Sequence, residues 1–90
     1  MLEGKIKVIN PLGLHARAAA QLVRLAGTFQ SRIKLYRLDN RTEADAKSIL
    51  SVLTLAASKG VELNIAADGI DEEAALSAII EIFKKGFGEI

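Results

Sequence analysis

The hydrophobic spacing of this chain switches between the period of a strand and the period of a helix, which restricts it to a mixed fold. From Leu2 to Ile9, small or apolar residues alternate with charged ones, the pattern of a strand with one buried face. From residue 16 to residue 26, apolar residues recur at helical spacing, and five alanines favour a helix. The first strand is therefore followed directly by a helix.

The rest of the chain continues this alternation. The same patterns predict strands over residues 32–38, 42–44 and 61–67, and helices capped by Ser48 and Asp71, the last reaching about Lys85. The order strand, helix, strand, strand, helix, strand, helix is typical of an α+β domain built from split βαβ units. Such units give a four-stranded antiparallel sheet with three helices on one face. Without a visible linker, residues 1–90 are expected to form one domain.

The composition argues against several classes of function. Twelve Lys and Arg against eleven Asp and Glu leave a net charge of +1, and aromatic residues are scarce, so no nucleic-acid partner is expected. The sequence has one His and no Cys, which argues against a metal site. It also contains no glycine-rich loop of the kind that binds nucleotides, so no cofactor is expected. No apolar run is long enough to span a membrane, and the start lacks a signal-peptide pattern. We therefore expect a cytoplasmic protein without membrane insertion.

The single histidine, His15, lies where the first predicted helix begins. Gly13 and Leu14 before it are not capping residues, so the first amide N–H groups of the helix lack an evident side-chain acceptor. Such a helix end favours an anion, phosphate above all, and Arg17 can add a charge-assisted hydrogen bond. A histidine beside this site can carry a phosphoryl group covalently. From the residues alone, an exposed surface histidine with a solvated Arg17 explains the pattern at least as well.

Ser48 is the second candidate residue. Its hydroxyl is expected to cap the short second helix, and a phosphate added there would lie at the same helix end. A structural cap and a regulatory phosphorylation site are thus alternative interpretations. Ile49, Leu50 and Leu53 on that helix are expected mainly in the core, with one or two left exposed as a contact patch.

At Gly13-Leu14-His15-Ala16-Arg17 the chain resembles the histidine-containing phosphocarrier proteins, the HPr family of the bacterial phosphotransferase system. The sequences Lys47-Ser48-Ile49-Leu50 and Ala57-Ser58-Lys59-Gly60 and the final Gly-Phe-Gly-Glu reinforce the resemblance, which covers essentially all 90 residues. It implies the open-faced β-sandwich of that family, in the order βαββαβα. It also implies a monomeric carrier, not a free-standing enzyme, that takes phosphate from phosphorylated enzyme I and passes it to an enzyme IIA-type domain.

The resemblance also implies roles for individual residues. His15 would accept the phosphoryl group on Nδ1, the amides of Ala16 and Arg17 would hold its oxygens, and the Arg17 side chain would lie beside it. Ser48 matches a serine that a dedicated kinase phosphorylates in some members. The partner-docking surface would comprise Ala20, Arg24, Ile49, Leu50 and Leu53.

Two departures from the family pattern stand out. Ala18 occupies a position where most members have proline, so it adds a backbone N–H near the site. The segments Thr42–Ala46 and Glu73–Leu76 resemble the nitrogen-related NPr branch more than the sugar-transport carriers, so both pathways stay open. The alternative function is a regulatory module of the same fold that binds partners without transferring phosphate. A third is an α+β domain that binds a small ligand or RNA.

Overall fold

The computed structural model describes residues 1–89, in which four strands and three α-helices alternate along the chain. Their bounds are β1 Leu2–Lys7, α1 Ala16–Ala26, β2 Arg32–Arg37, β3 Glu43–Asp45, α2 Ile49–Thr54, β4 Glu62–Asp68 and α3 Glu72–Lys84, followed by a 3₁₀ turn at Gly86–Gly88. The predicted order is confirmed, but β1 stops at Lys7, short of the predicted Ile9. The third strand also starts one residue late, because the N–H of Thr42 bonds to the side chain of Asn40 in the preceding turn, at 3.0 Å.

The strands form one antiparallel sheet in the order β1-β4-β2-β3. Gly4 of β1 lies opposite Ile65 of β4, which in turn lies opposite Leu35 of β2, so the apolar positions share one face. The alternate positions, such as Lys5 and Asn64, lie on the other face. The helices cover the apolar face and the polar face stays open, as the α+β prediction required.

The core lies between this sheet and the helices. Buried side chains come from α1 (Ala18, Ala19, Leu22, Ala26), α2 (Val52) and α3 (Ala75, Ile79, Phe83). The small residue Gly4 lets α3 approach β1 closely, because a Cβ at this position would be 2.9 Å from Cδ1 of Ile80. A larger residue at this apolar position of β1 would therefore require the end of the Ile80 side chain to shift.

Asp71 occupies the N-cap position of α3. The prediction that its side chain caps the helix is wrong, because the side chain makes no capping hydrogen bond. One carboxylate oxygen accepts the N–H of Gln30 at 2.8 Å, and the other accepts the N–H of Ser31 at 2.9 Å and the Ser31 hydroxyl. The Ser31 hydroxyl and the Gln30 N–H hold the pKa of Asp71 below its ordinary value. The carboxylate thus joins the start of α3 to the residues that lead into β2.

Within residues 1–89, no helix is both long enough and apolar enough to cross a lipid bilayer. Over the same range, no three His, Asp or Glu side chains come together as a group that could hold a metal ion.

Candidate functional site

The loop between β1 and α1 fixes the position of His15. Gly13 has a φ of +65°, and its N–H donates to the carbonyl of Asn10 at 3.1 Å. The next N–H, that of Leu14, donates to the carbonyl of Ala57 at 2.8 Å. A Cβ on Gly13 would be 2.5 Å from the Ala57 oxygen and 2.8 Å from Cα of Ser58, so glycine is required on two grounds. The loop is therefore locked against the segment that follows α2.

His15 is the N-cap residue of α1, as the sequence predicted. Its backbone is extended (φ −76°, ψ 179°), and its side chain makes no capping hydrogen bond. The carbonyl of His15 accepts the N–H of Ala19 at 2.8 Å, which closes the first turn of the helix. The amides of Ala16, Arg17 and Ala18 come before that bond and lie outside the helical ladder. Residue 18 is not proline and keeps its N–H, but Ala18 is fully buried, so the exposed residues Ala16 and Arg17 are the ones whose N–H groups are offered to an anion.

The imidazole of His15 contacts a carboxylate that sequence analysis did not single out. Its Nε2 forms a hydrogen bond with Oε2 of Glu89, while Oε1 of Glu89 accepts an N–H from Asn10 at 3.2 Å. The His15 and Glu89 side chains are 26% and 16% exposed, so water reaches this pair only in part.

The protonation of this pair defines which imidazole nitrogen is free. The hydrogen bond from His15 holds the pKa of Glu89 below its ordinary value; the Asn10 N–H acts in the same direction, and partial burial opposes both. Glu89 is therefore ionised at neutral pH and can only accept hydrogen bonds. A proton on Nε2 of His15 satisfies this carboxylate, so in the neutral imidazole it is Nδ1 that has the lone pair.

The turn after α3 brings the side chain of Glu89 into contact with His15. The ring of Phe87 is buried and lies edge-on to Phe83, with ring centres 5.0 Å apart and an interplanar angle of 77°. Gly86 and Gly88 on either side have positive φ values of 57° and 78°. These glycines let the chain reverse while Phe87 stays in the core, and Glu89 then reaches the histidine.

The two arginines of α1 that were predicted to act in the site or in docking are solvent-accessible. Arg17 lies in the first turn, two residues after His15, and Arg24 lies in the last turn; both are exposed. Ala20 is half-buried between them. Both guanidinium groups are therefore accessible to a partner.

The second predicted cluster lies on α2. Ser48 caps this helix as predicted, its hydroxyl accepting the N–H of Ser51 at 3.3 Å. The helix has six residues, of which Val52 is fully buried and Leu53 is partly buried against the core. Leu50 is 74% exposed and Ile49 is 40% exposed, so two of the three residues expected mainly in the core lie at the surface, as a contact patch would require. Leu53 is half-buried.

The structure adds one apolar residue to this region and brings the two helices together. Leu12, in the loop before His15, is 69% exposed, a feature that no sequence pattern indicated. Helices α1 and α2 pack against each other, so the two sets of predicted docking residues share one region of the molecule. Exposed apolar residues surrounded by arginines suit a transient protein contact.

Comparison with known proteins decides between the alternatives left open by the sequence. A family model described as the PTS HPr component phosphorylation site matches residues 2–85. The chain belongs to the HPr family. It is a phosphoryl carrier of the phosphotransferase system, and the non-transferring alternative is not favoured.

Individual relatives agree over nearly the whole chain. The phosphocarrier protein HPr of Cupriavidus necator is 45% identical over 99% of this chain and 98% of its own length. The phosphocarrier protein NPr of Escherichia coli K12 is 40% identical over 93% of this chain and 92% of its own. The crystal structure of HPr-C-His from Thermoanaerobacter tengcongensis has a TM-score of 0.93 at 37% identity, covering 100% of this chain and 99% of that one. The relatives thus include proteins of both names.

Proposed function

We propose that His15 accepts the phosphoryl group through Nδ1 and later releases it to an acceptor protein. The observation that carries this proposal is the contact between Nε2 and Glu89, which leaves Nδ1 as the nitrogen with the lone pair in the neutral ring. In an imidazole ring Nδ1 is the nitrogen nearer the backbone. It therefore lies on the part of the ring closer to the first amides of α1.

The transfer balances without a further reactant. The Nδ1 lone pair attacks the phosphorus carried by enzyme I, and the bond between phosphorus and the donor atom breaks, its electron pair returning to the donor. The ring of His15 now bears a phosphoryl group on Nδ1 and a proton on Nε2, and is positively charged. Glu89 lies against that proton and compensates the charge. In the second transfer a neutral imidazole leaves phosphorus.

The phosphoryl oxygens have two sources of stabilisation at this end of α1. The amides of Ala16 and Arg17 can donate to them, and the positive end of the helix dipole favours their charge. The guanidinium of Arg17 can add a charge-assisted hydrogen bond from the solvent side. None of these groups forms or breaks a covalent bond, so they hold the group while His15 carries it.

The partners follow from the same region. We propose that enzyme I and an enzyme IIA-type domain dock in turn on the surface formed by Ala20, Arg24, Ile49, Leu50 and Leu53. A small patch that is apolar in its centre suits brief encounters with more than one partner. The protein acts in this scheme as a monomer in the cytoplasm, and it has no turnover without its partners.

The direct test is to incubate the full chain with its enzyme I and phosphoenolpyruvate and to measure its intact mass. We expect one phosphoryl group, labile in acid and stable in base as for a phosphoramidate. Peptide mapping should place it on residue 15. A mass unchanged in the presence of an active enzyme I would contradict the carrier role of His15.

Arg17→Ala should slow phosphoryl exchange with little effect on unfolding. Arg17 is exposed, so its loss leaves no cavity. A charge-assisted hydrogen bond of about 1.5–3 kcal/mol corresponds to a rate loss of roughly 10- to 150-fold. Rates should be measured from enzyme I and to the IIA-type acceptor. Arg24→Ala is the comparison variant, expected to change the apparent affinity and its salt dependence more than the maximal rate. Unchanged exchange with both partners would remove Arg17 from the site.

Ser48 is proposed as a position where a negative charge weakens docking, whether or not a serine kinase uses it. It lies next to Ile49 and Leu50, the most exposed apolar residues of α2, and a charge there would have to lose water when a partner covers it. Because the hydroxyl caps α2, Ser48→Ala alone should cost about 0.5–2 kcal/mol of stability.

Ser48→Asp should therefore weaken docking while the fold stays intact. Enzyme I should need a higher concentration of this variant to reach half of its maximal phosphorylation rate. Ser77→Asp supplies the control, since Ser77 is exposed on α3 and the same charge is added elsewhere. Phosphorylation rates and thermal unfolding should be followed for both variants. If enzyme I has equal apparent affinity for the two, Ser48 is a structural cap only.

A further inference from the structure

Asn10 is buried completely, next to the site, and every hydrogen of its amide group is used. Its Nδ2 donates to the carbonyl of Gly13 at 2.8 Å and to Oε1 of Glu89 at 3.2 Å. Its Oδ1 is also buried and has no hydrogen-bond partner among the described residues. A buried acceptor without a partner destabilises a fold, so the orientation of this amide needs an explanation.

The two partners of Asn10 explain the orientation. A carbonyl oxygen and an ionised carboxylate can only accept, so the group between them must offer two hydrogens. The NH₂ of a side-chain amide does this from a single atom. The opposite orientation would place Oδ1 against two acceptors. Oδ1 therefore lacks a partner because both amide hydrogens are directed at the Gly13 carbonyl and Glu89.

We infer that Asn10 is a positioning residue for phosphoryl transfer: it holds Oε1 of Glu89 and thereby directs Oε2 to Nε2 of His15. The inference rests on the proposed function, because it gives Nδ1 its role as nucleophile. Through the same NH₂ group Asn10 also holds the Gly13 carbonyl, two residues before His15. One side chain thus aligns the loop that carries the histidine and the carboxylate that fixes its tautomer.

The first variant is Asn10→Asp, which keeps the shape of the side chain and replaces both donor hydrogens with an acceptor. Asn64→Asp is the matched control. Asn64 also donates its amide N–H to a glutamate, Glu3, at 2.7 Å, but this pair lies on the open face of the sheet. Two quantities should be measured on the full chain: the imidazole ¹⁵N shifts of His15 before phosphorylation, and the rate of transfer from phosphorylated enzyme I over a range of carrier concentrations.

Asn10→Asp is expected to shift His15 from one tautomer to a mixture and to lower the maximal transfer rate by about tenfold. The apparent KM should change little, since Asn10 is buried and lies outside the docking surface. Asn64→Asp should leave both quantities unchanged. Adding Glu89→Gln to Asn10→Asp should restore them in part, because the new amide can donate to the carboxylate at position 10 while its oxygen still accepts from His15.

A folded Asn10→Asp protein with the wild-type tautomer and rate would overturn the inference, and so would a defect that Glu89→Gln does not relieve. If Asn10→Asp does not fold, Asn10→Ala removes the donors without adding charge and is judged by the same two measurements. The ¹⁵N shifts are read on the unphosphorylated protein. A wild-type chain that takes no phosphate would refute the proposed function and still leave the tautomer to decide the role of Asn10.

Discussion

His15→Ala should give a folded protein that accepts no phosphoryl group from enzyme I. His15 is the only histidine of the chain, and its imidazole is the proposed nucleophile and makes the contact with Glu89. The substitution removes a side chain that is 26% exposed and makes no capping hydrogen bond, so the core and α1 should persist. We expect a small change in unfolding free energy, within about 1 kcal/mol.

The measurement is intact mass after incubation with enzyme I and phosphoenolpyruvate, with circular dichroism and thermal unfolding to confirm the fold. Arg24→Ala, which leaves the histidine in place, should still become phosphorylated under the same conditions. Phosphorylation of a folded His15→Ala protein that depends on enzyme I would show that the carrier residue lies elsewhere.

Among substitutions that add one methyl group near the site, Gly13→Ala should lower the free energy of unfolding the most. The new Cβ would meet backbone atoms on the far side of the loop, 2.5 Å away at the Ala57 oxygen, and neither backbone can retreat without losing the hydrogen bond from Leu14. The φ of +65° adds conformational strain. A destabilisation of about 3 kcal/mol or more is expected, together with slower transfer, because the loop that carries His15 must move.

Gly60→Ala separates the two causes. Gly60 also has a positive φ, +94°, but a Cβ there would meet nothing within 4 Å. This control should show the backbone strain alone, about 1–2 kcal/mol. Both variants should be compared by denaturant unfolding. If they lose equal stability, the contact between Gly13 and Ala57 does not constrain the loop.

The features that local sequence determines were predictable. Alternation indicated the strands, and the alanine-rich segment after Gly13 predicted α1 with His15 at or beside its N-cap. Ser48 was expected to cap α2, and it does. Each of these depends on residues within one or two turns of each other, where steric preference and hydrogen bonding to the nearby backbone decide the outcome.

Contacts between distant segments were not predictable in the same way. His15 and Glu89 are 74 residues apart, and they meet because Phe87 docks beside Phe83. Asp71 has the sequence position of a cap, yet its carboxylate is taken by backbone N–H groups 40 and 41 residues away. Such choices depend on which donors the assembled fold presents, and no pattern within a single element encodes them.

The strand order has a consequence for a chain that is still being synthesised. Strand β1 lies at the edge of the sheet and pairs with β4, residues 62–68, which also joins it to β2. A ribosome must therefore release the chain as far as β4 before the first strand finds its neighbour and α1 has a completed sheet to cover. His15 is translated well before Glu89, so the proposed site is complete only after α3 and the turn that follows it have left the exit tunnel.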